Sequence, residues 1–261
     1  MPDTTHIIFE EIDNGLARVI LTRPEKRNAL TREMLARLAE IFEGIAARRT
    51  LRAVILCAEG EAFSAGTDIA ELAAMGTEEA RGAAQRGQDV CERIERCNVP
   101  VIAAVDGLAA GGGCELALAC HLRLASTTAR FSLPEIKLGV IPGYGGTQRL
   151  ARVAGSGRAL EMMLTGAEVS ADEALRVGLV NRVVPPEQLL IEAEALAREI
   201  MSLAPLAIRA CLEAVTRGLE LPLAAGLELE AELFSSLFAT EDMREGTRAF
   251  LEKRAPVFTG K

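Results

Sequence analysis

Three adjacent glycines, Gly111-Gly112-Gly113, separate an apolar run at 101–105 from a second one, Cys114-Glu115-Leu116-Ala117-Leu118-Ala119-Cys120. No other feature of the chain constrains the fold as strongly. Residues without a Cβ let one backbone approach another and adopt turns closed to larger side chains. Set between a strand-forming run and a helix-forming run, they end a strand and open a helix. A helix starting near Gly113 turns its unpaired N–H groups toward whatever occupies the loop. That arrangement suits an anion without being specific for phosphate. The nucleotide fingerprints are not met. Gly113 stands where a phosphate loop needs lysine, and Gln148 stands where a dinucleotide loop beginning at Gly143 needs glycine.

The same strand, loop and helix order occurs earlier. Residues 53–57 (AVILC) read as a short buried strand, followed by the loop Gly60-Glu61-Ala62-Phe63-Ser64-Ala65-Gly66-Thr67-Asp68-Ile69 and room for a helix between 77 and 97. Before it, 7–11 and 16–21 alternate like a half-buried strand pair around Asp13-Asn14-Gly15. Met34, Leu38, Ile41, Phe42 and Ile45 share one helix face behind Thr31, a good N-cap. Weaker strands are expected at 122–125 and 130–133. The alternation predicts an α/β architecture. Ser170 and Glu173 have the spacing of a capping box, and Ser156 reads as a helix cap. Residues 186–202, 206–216, 223–238 and 241–254 read as helices. The change from mixed to all-helical texture near residue 200 divides the chain into a 1–200 core and a 201–261 helical subdomain.

Composition narrows the function. With 261 residues the chain can bury a large core, and with aromatics at 3% and no Trp that core must be aliphatic. A formal charge of −8 argues against nucleic acid as the main partner. The six cysteines form no C-x-x-C pair, and the first residues lack the basic and apolar parts of a secretory leader. A reduced, cytoplasmic setting is expected. No uncharged apolar stretch reaches the roughly 18 residues of a membrane span. No zinc-ligand spacing and no nucleophile elbow occurs, and no metal is expected. The two histidines, His6 and His121, are expected to pack or to face solvent.

Two glycine-rich loops on neighbouring strands can face each other, and two main-chain N–H groups aimed at one oxygen make an oxyanion hole. Glu115 follows the glycines inside an apolar run, where burial raises a carboxyl pKa toward the working pH. Glu135 follows Pro134, again among apolar neighbours. Paired carboxylates in different surroundings can divide acid and base duties, although glutamates at such spacing are more often solvated charges. Asp68 has two readings, the N-cap of the next helix or a substrate contact. Tyr144, between glycines, reads as a lid, a substrate wall or simple packing.

These segments resemble the crotonase (enoyl-CoA hydratase/isomerase) superfamily over nearly the whole chain. Arg23-Pro24-Glu25-Lys26-Arg27-Asn28-Ala29-Leu30 is similar to the family's early substrate loop, and 62–69 to its first oxyanion-hole motif. Residues 101–115 are similar to the second such motif, and 131–135 with 143–150 to the block carrying the second glutamate. Residues 250–258 resemble its C-terminal signature. The resemblance implies a crotonase-like spiral of ββα repeats with a C-terminal helical trimerisation region, giving homo-oligomers that are trimers or dimers of trimers. It implies that the N–H groups of Ala65 and Gly112 hold a thioester oxygen, and that the loop with Thr67, Asp68 and Ile69 helps hold the adenine of coenzyme A. Coenzyme A would be the substrate's carrier and no separate cofactor is implied.

The glutamates separate the reactions that the superfamily hosts. Hydratases resembling this chain carry both acids, whereas many isomerases lack the first, so the resemblance implies addition of water across the α,β double bond of a 2-enoyl-CoA to give a 3-hydroxyacyl-CoA. Glu115 would deprotonate the water, Glu135 would deliver the α-proton, and the Gly143 amide would be a further contact to the water. Isomerisation, decarboxylation and thioester hydrolysis remain alternatives on the same oxyanion hole, as does a non-catalytic binding scaffold. Thr67, Asp106 and His121 depart from the residues usual at their positions in the family.

Overall fold

The computed structural model describes residues 5–13, 15–48 and 50–261. Strands β1 (Ile7–Asp13) and β2 (Leu16–Leu21) pair antiparallel. Asn14 of the expected turn lies outside the described residues, and Gly15 takes φ +95°. Helix α1 (Arg32–Ala47) begins where Thr31 Oγ1 accepts the Met34 N–H at 3.2 Å, and its apolar stripe from Met34 to Ile45 is buried. Then come β3 (Ala53–Ala58), α2 (Ile69–Ala73), α3 (Thr77–Glu95), β4 (Val101–Val105), β5 (Leu108–Ala110) and α4 (Gly112–Ala119). The middle of the chain continues through β6 (Leu122–Ser126), β7 (Arg130–Ser132), α5 (Gly146–Ala154) and α6 (Ser156–Thr165). After β8 (Val169–Ser170), α7 (Ala171–Arg176) and β9 (Arg182–Val184), the chain is helical: α8 (Leu189–Met201), α9 (Pro205–Gly218), α10 (Leu223–Leu237) and α11 (Glu241–Glu252).

A six-stranded sheet runs in the order β1-β2-β3-β4-β6-β9 and is parallel from β2 onward. A second, small sheet has the order β5-β7-β8, and bridges at Ala62–Gly107 and Ser64–Ala109 bring the loop after β3 to its edge. The winding unit follows directly. Each turn sends one strand to the large sheet, a short one to the small sheet, and then a helix, as in β4-β5-α4 and β6-β7-α5. The strand β5 inside the glycine-rich stretch was not legible from the sequence. It is three residues long, and its only identity is its pairing with β7. Ser156 is not a cap: Gly155, at φ +79°, is the N-cap of α6, and Ser156 is the first helical residue.

Every residue of α4 is buried. At its C-terminal end the buried Arg123 guanidinium donates to Ala117 O at 3.4 Å and to Leu179 O at 2.7 Å. A cation there complements the helix dipole whose positive end opens at Gly112. By contrast, α9 and α10 bury none of their residues and leave Val215, Leu223, Leu227 and Phe234 exposed, with Phe238 exposed just after α10.

Among the residues that fasten the loop between β2 and α1 to the loop after β3, Asn28 makes side-chain bonds to both. Asn28 is fully buried at φ +53°, and its side-chain amide donates to Glu59 O and Ala62 O, each at 2.8 Å. Its Oδ1 accepts the Arg23 N–H at 2.8 Å, and its carbonyl accepts the Ser64 hydroxyl at 2.8 Å. Replacing Asn28 with Ala strands Glu59 O, Ala62 O and the Arg23 N–H, keeps the carbonyl that Ser64 bonds, and places a residue less tolerant of the left-handed region there. The expected loss is about 2–4 kcal/mol, read as a lower urea midpoint at unchanged slope.

Candidate active site

Glu115 lies in the first turn of α4 and is 1% exposed. A carboxylate there needs donors, and its Oε1 accepts the N–H of Tyr144 at 2.8 Å and of Gly146 at 2.6 Å. Burial still outweighs these bonds and pushes the Glu115 carboxyl up to about 7, with the nearby Glu135 adding to the rise. The amide-bearing loop is itself held. Arg149 Nη1 donates to Tyr144 O at 3.1 Å, while its Nε and Nη2 grip Glu95 Oε2 at 3.1 and 2.7 Å.

Glu135 opens a 3-10 turn directly after Pro134. Burial raises its carboxyl pKa as well. Its Oε2 is buried without a hydrogen-bond partner among the described residues. Its Oε1 rests against Gly111, where an added Cβ would lie 2.9 Å from that oxygen. Gly111 also takes φ +49° and ψ −127°, a conformation that excludes side chains. The glycine run therefore admits the second acid to the mouth of α4.

The segment 65–67 lies against this mouth. A Cβ on Gly66 would meet Ala110 O at 2.8 Å and Gly112 N at 3.3 Å. Gly112, at the start of α4, has an N–H with no acceptor among the described residues. The second free donor is not the one expected. The Ala65 N–H donates to Arg27 O at 2.8 Å, so Ala65 lines the cleft without offering its amide. Thr67 instead has an N–H with no acceptor among the described residues. Its neighbours face Leu30, with Leu30 N–H on Gly66 O at 2.7 Å and Asp68 N–H on Leu30 O at 2.9 Å. Gly66, at φ +94°, breaks the alternation of the extended chain, so the amides of Ala65 and Thr67 diverge.

The cleft has about 210 Å³ of internal space and is lined by Thr67, Ile69, Gly112, Gly143 and both acids. Its remaining wall is apolar, with Leu72, Met75, Ala83, Ala84 and Ile141. The Gly143 N–H is without an acceptor among the described residues, and its carbonyl accepts Gln88 Nε2 at 2.9 Å. Tyr144 is a wall: it is 5% exposed, lines the cleft, and its hydroxyl accepts the Thr67 hydroxyl proton at 2.9 Å.

Asp68 is not on that wall. Its carboxylate takes Arg23 Nη1 at 2.7 Å and the Ala70 N–H at 2.9 Å, capping α2, and the bond to Arg23 holds it below its ordinary pKa. The N-cap reading of its side chain is the one the geometry bears out. His121 is packed, with Nδ1 accepting the Val101 N–H at 2.9 Å and Nε2 3.1 Å from Glu95 O. Asp106 accepts the Thr128 hydroxyl at 2.9 Å, outside the cleft lining. Sequence reasoning missed three groups: the Thr67 amide, the Gly146 amide and Arg149. Arg149 alone left a signal, a cation beside the buried Leu150 with no acid near it in the chain.

Three free amides, from Thr67, Gly112 and Gly143, and two carboxyls of raised pKa thus line one small cleft. Such a set can stabilise charge on a carbonyl oxygen while moving protons on both sides of the adjoining carbons.

Comparison with known proteins agrees with this chemistry. The sequence profile of a family described as enoyl-CoA hydratase/isomerase matches residues 11–261. A short-chain-enoyl-CoA hydratase of Clostridium acetobutylicum is 42% identical over 253 residues, covering 97% of each chain. A crotonyl-CoA hydratase of Syntrophomonas wolfei is 41% identical over 98% of each chain. The crystal structure of an enoyl-CoA hydratase from Bacillus anthracis superimposes with a TM-score of 0.94 at 39% identity, covering 98% of this chain and 100% of that one. With a profile match over nearly its full length and relatives above 40% identity, this chain belongs to the enoyl-CoA hydratase/isomerase family and has the crotonase fold.

Proposed function

We propose that the protein is an enoyl-CoA hydratase, adding water reversibly to a 2-enoyl-CoA to give the 3-hydroxyacyl-CoA. One observation carries the reading: Glu115 and Glu135 line the same cleft as the unpaired amides of Thr67 and Gly112. The thioester oxygen sits between those amides. Ionised Glu115 takes a proton from water as its oxygen bonds to the β-carbon, and the electron pair of the double bond moves toward the thioester. The resulting enolate oxygen is held by Thr67 and Gly112 N–H, which bind it more strongly than the neutral carbonyl. Protonated Glu135 then delivers its proton to the α-carbon. The free Gly143 N–H is a third contact for the water.

Coenzyme A is the substrate's handle, with the 65–70 loop beside its adenine. The substrates named for the relatives, short-chain enoyl-CoA and crotonyl-CoA, suit the small cleft. The helical region 201–261, with its exposed Leu and Phe side chains, serves assembly of trimers or paired trimers. The cytoplasm is the setting in which five buried thiols stay unpaired and reduced.

Glu115→Gln and Glu135→Gln are each expected to lower kcat on crotonyl-CoA about 10²–10⁴-fold, followed by loss of the conjugated thioester absorbance. Near-normal turnover of either variant rejects its role. A protein that shifts the double bond of a 3-enoyl-CoA without hydrating crotonyl-CoA is an isomerase.

The pH dependence has a definite sign. Because Glu115 must be ionised to accept a proton and its pKa stands at about 7, kcat is expected to fall as pH drops below about 7. A rate independent of pH from 5 to 8 contradicts that role. Stability runs the other way. A pKa raised from 4.5 to about 7 in the folded state means that stability is fully present below about 4.5 and declines by about 3 kcal/mol as pH rises through 7. In Glu115→Gln the amide oxygen still accepts both N–H groups and no charge is buried. Thermal unfolding at pH 8 is therefore expected to show this variant at least as stable as the wild type, while its activity is lost.

A further inference from the structure

Tyr144 touches Glu115, Gly112 and Thr67 without contributing a reacting group. Its N–H donates to Glu115 at 2.8 Å, and its carbonyl is held by Arg149 at 3.1 Å. Its ring lies on Gly112, where an added Cβ would fall 2.8 Å from Cε2, and in a notch of α3 at Gly87, where a Cβ would fall 2.0 Å from Cδ1. Both glycines are needed to seat the ring. Its hydroxyl accepts from Thr67 Oγ1 at 2.9 Å, and neither hydroxyl has another hydrogen-bond partner among the described residues. Thr67 and Gly112 carry the two amides assigned to the thioester oxygen. One side chain therefore packs on one amide-bearing residue, is hydrogen-bonded to the other, and is anchored at its own backbone to the buried acid.

We propose that the Thr67–Tyr144 hydroxyl pair is a strut that fixes the spacing of the two oxyanion amides relative to Glu115, making Tyr144 a positioning residue for hydration. The proposal rests on the hydratase reading for its catalytic consequence. Thr67 belongs to a segment held by backbone bonds to the loop at 27–30 and, through Ser64, to β5, whereas Gly112 opens the fully buried helix α4. The strut adds a side-chain tie between these two pieces across the cleft. Donors set in advance cost no reorganisation as charge develops on the oxygen, so a loosened strut weakens binding of the enolate more than binding of the substrate.

The test uses Tyr144→Phe, Thr67→Val and the double variant. None of these removes an amide, a carboxyl or the ring. The strut predicts a fall in kcat of about 5–30-fold in either single variant, KM within about twofold, and no further fall in the double variant, because each change removes the same bond. Melting temperatures should stay within a few degrees. Wild-type kcat in either single variant, or losses that multiply in the double variant, overturns the strut, since a ring that merely packs is fully present in Tyr144→Phe. A second readout does not need hydration. Acetoacetyl-CoA has an acidic α-carbon, and its enolate absorbs in the near ultraviolet. Wild type should bind it with a stronger enolate band than Tyr144→Phe, and equal bands count against the strut. A wild type that forms the band yet does not hydrate crotonyl-CoA refutes the hydratase reading and leaves the strut to be judged on the band. A wild type that binds no acyl-CoA refutes both.

Discussion

A carboxyl group inside an eight-residue helix with no exposed member is the constraint around which the rest is arranged. Left alone, ionised Glu115 would be intolerable among Leu116, Leu118 and the packed thiols of Cys91 and Cys114. The protein meets it with two amides from a single turn, Tyr144 and Gly146, and that turn has to come close. A Cβ at Gly146 would sit 2.9 Å from the Glu115 oxygen, so the close approach requires glycine. The turn is then held from behind by Arg149, and Arg149 by Glu95 on α3. The compensation is incomplete, because burial still dominates, and a carboxyl that titrates near neutrality is what proton transfer needs.

Much of this was legible in the chain. The strand–loop–helix order at 53–69 and 101–119 gives an α/β fold, and an acid in an apolar run after glycines marks Glu115 before any coordinates exist. Glu135 was legible for a similar reason. The helices of the last sixty residues follow from periodicity alone. What periodicity cannot supply is the partner of a short strand. The small sheet is built from segments of two or three residues, which carry no pattern of their own. Arg149 was hidden for a related reason, since its partner Glu95 is 54 positions away.

The donor amide shows the limit most clearly. Ala65 and Thr67 are two residues apart, and in a regular strand their N–H groups would point the same way. Gly66 breaks that regularity with a positive φ. The Ala65 amide is spent on Arg27, while the bridge to Leu30 leaves the Thr67 amide unpaired. Which amide is free depends on a glycine dihedral and on a loop nearly forty residues away, and neither is visible in residue types. Asp68 follows the same lesson. The sequence leaves N-cap and substrate contact both open for it, and its carboxylate, at a helix start with Arg23 in reach, is taken up locally.

The division of labour between helix and loops bears on how one fold supports several reactions. Gly112 and Glu115 lie three residues apart on α4, about one turn of helix and roughly 4.5 Å of rise. Their relation is set by helix geometry, and α4 is fixed by full burial and by Arg123 at its far end. One oxyanion donor and the first acid therefore come as one unit. Thr67 and Glu135 arrive on separate loops, each brought to that unit by a glycine, Gly66 and Gly111. A loop can move its acid or exchange it without disturbing the helix, whereas a change on α4 alters the core. In a fold built this way, the Gly112 donor and Glu115 are the fixed element, and the placement of the second acid is the part open to change.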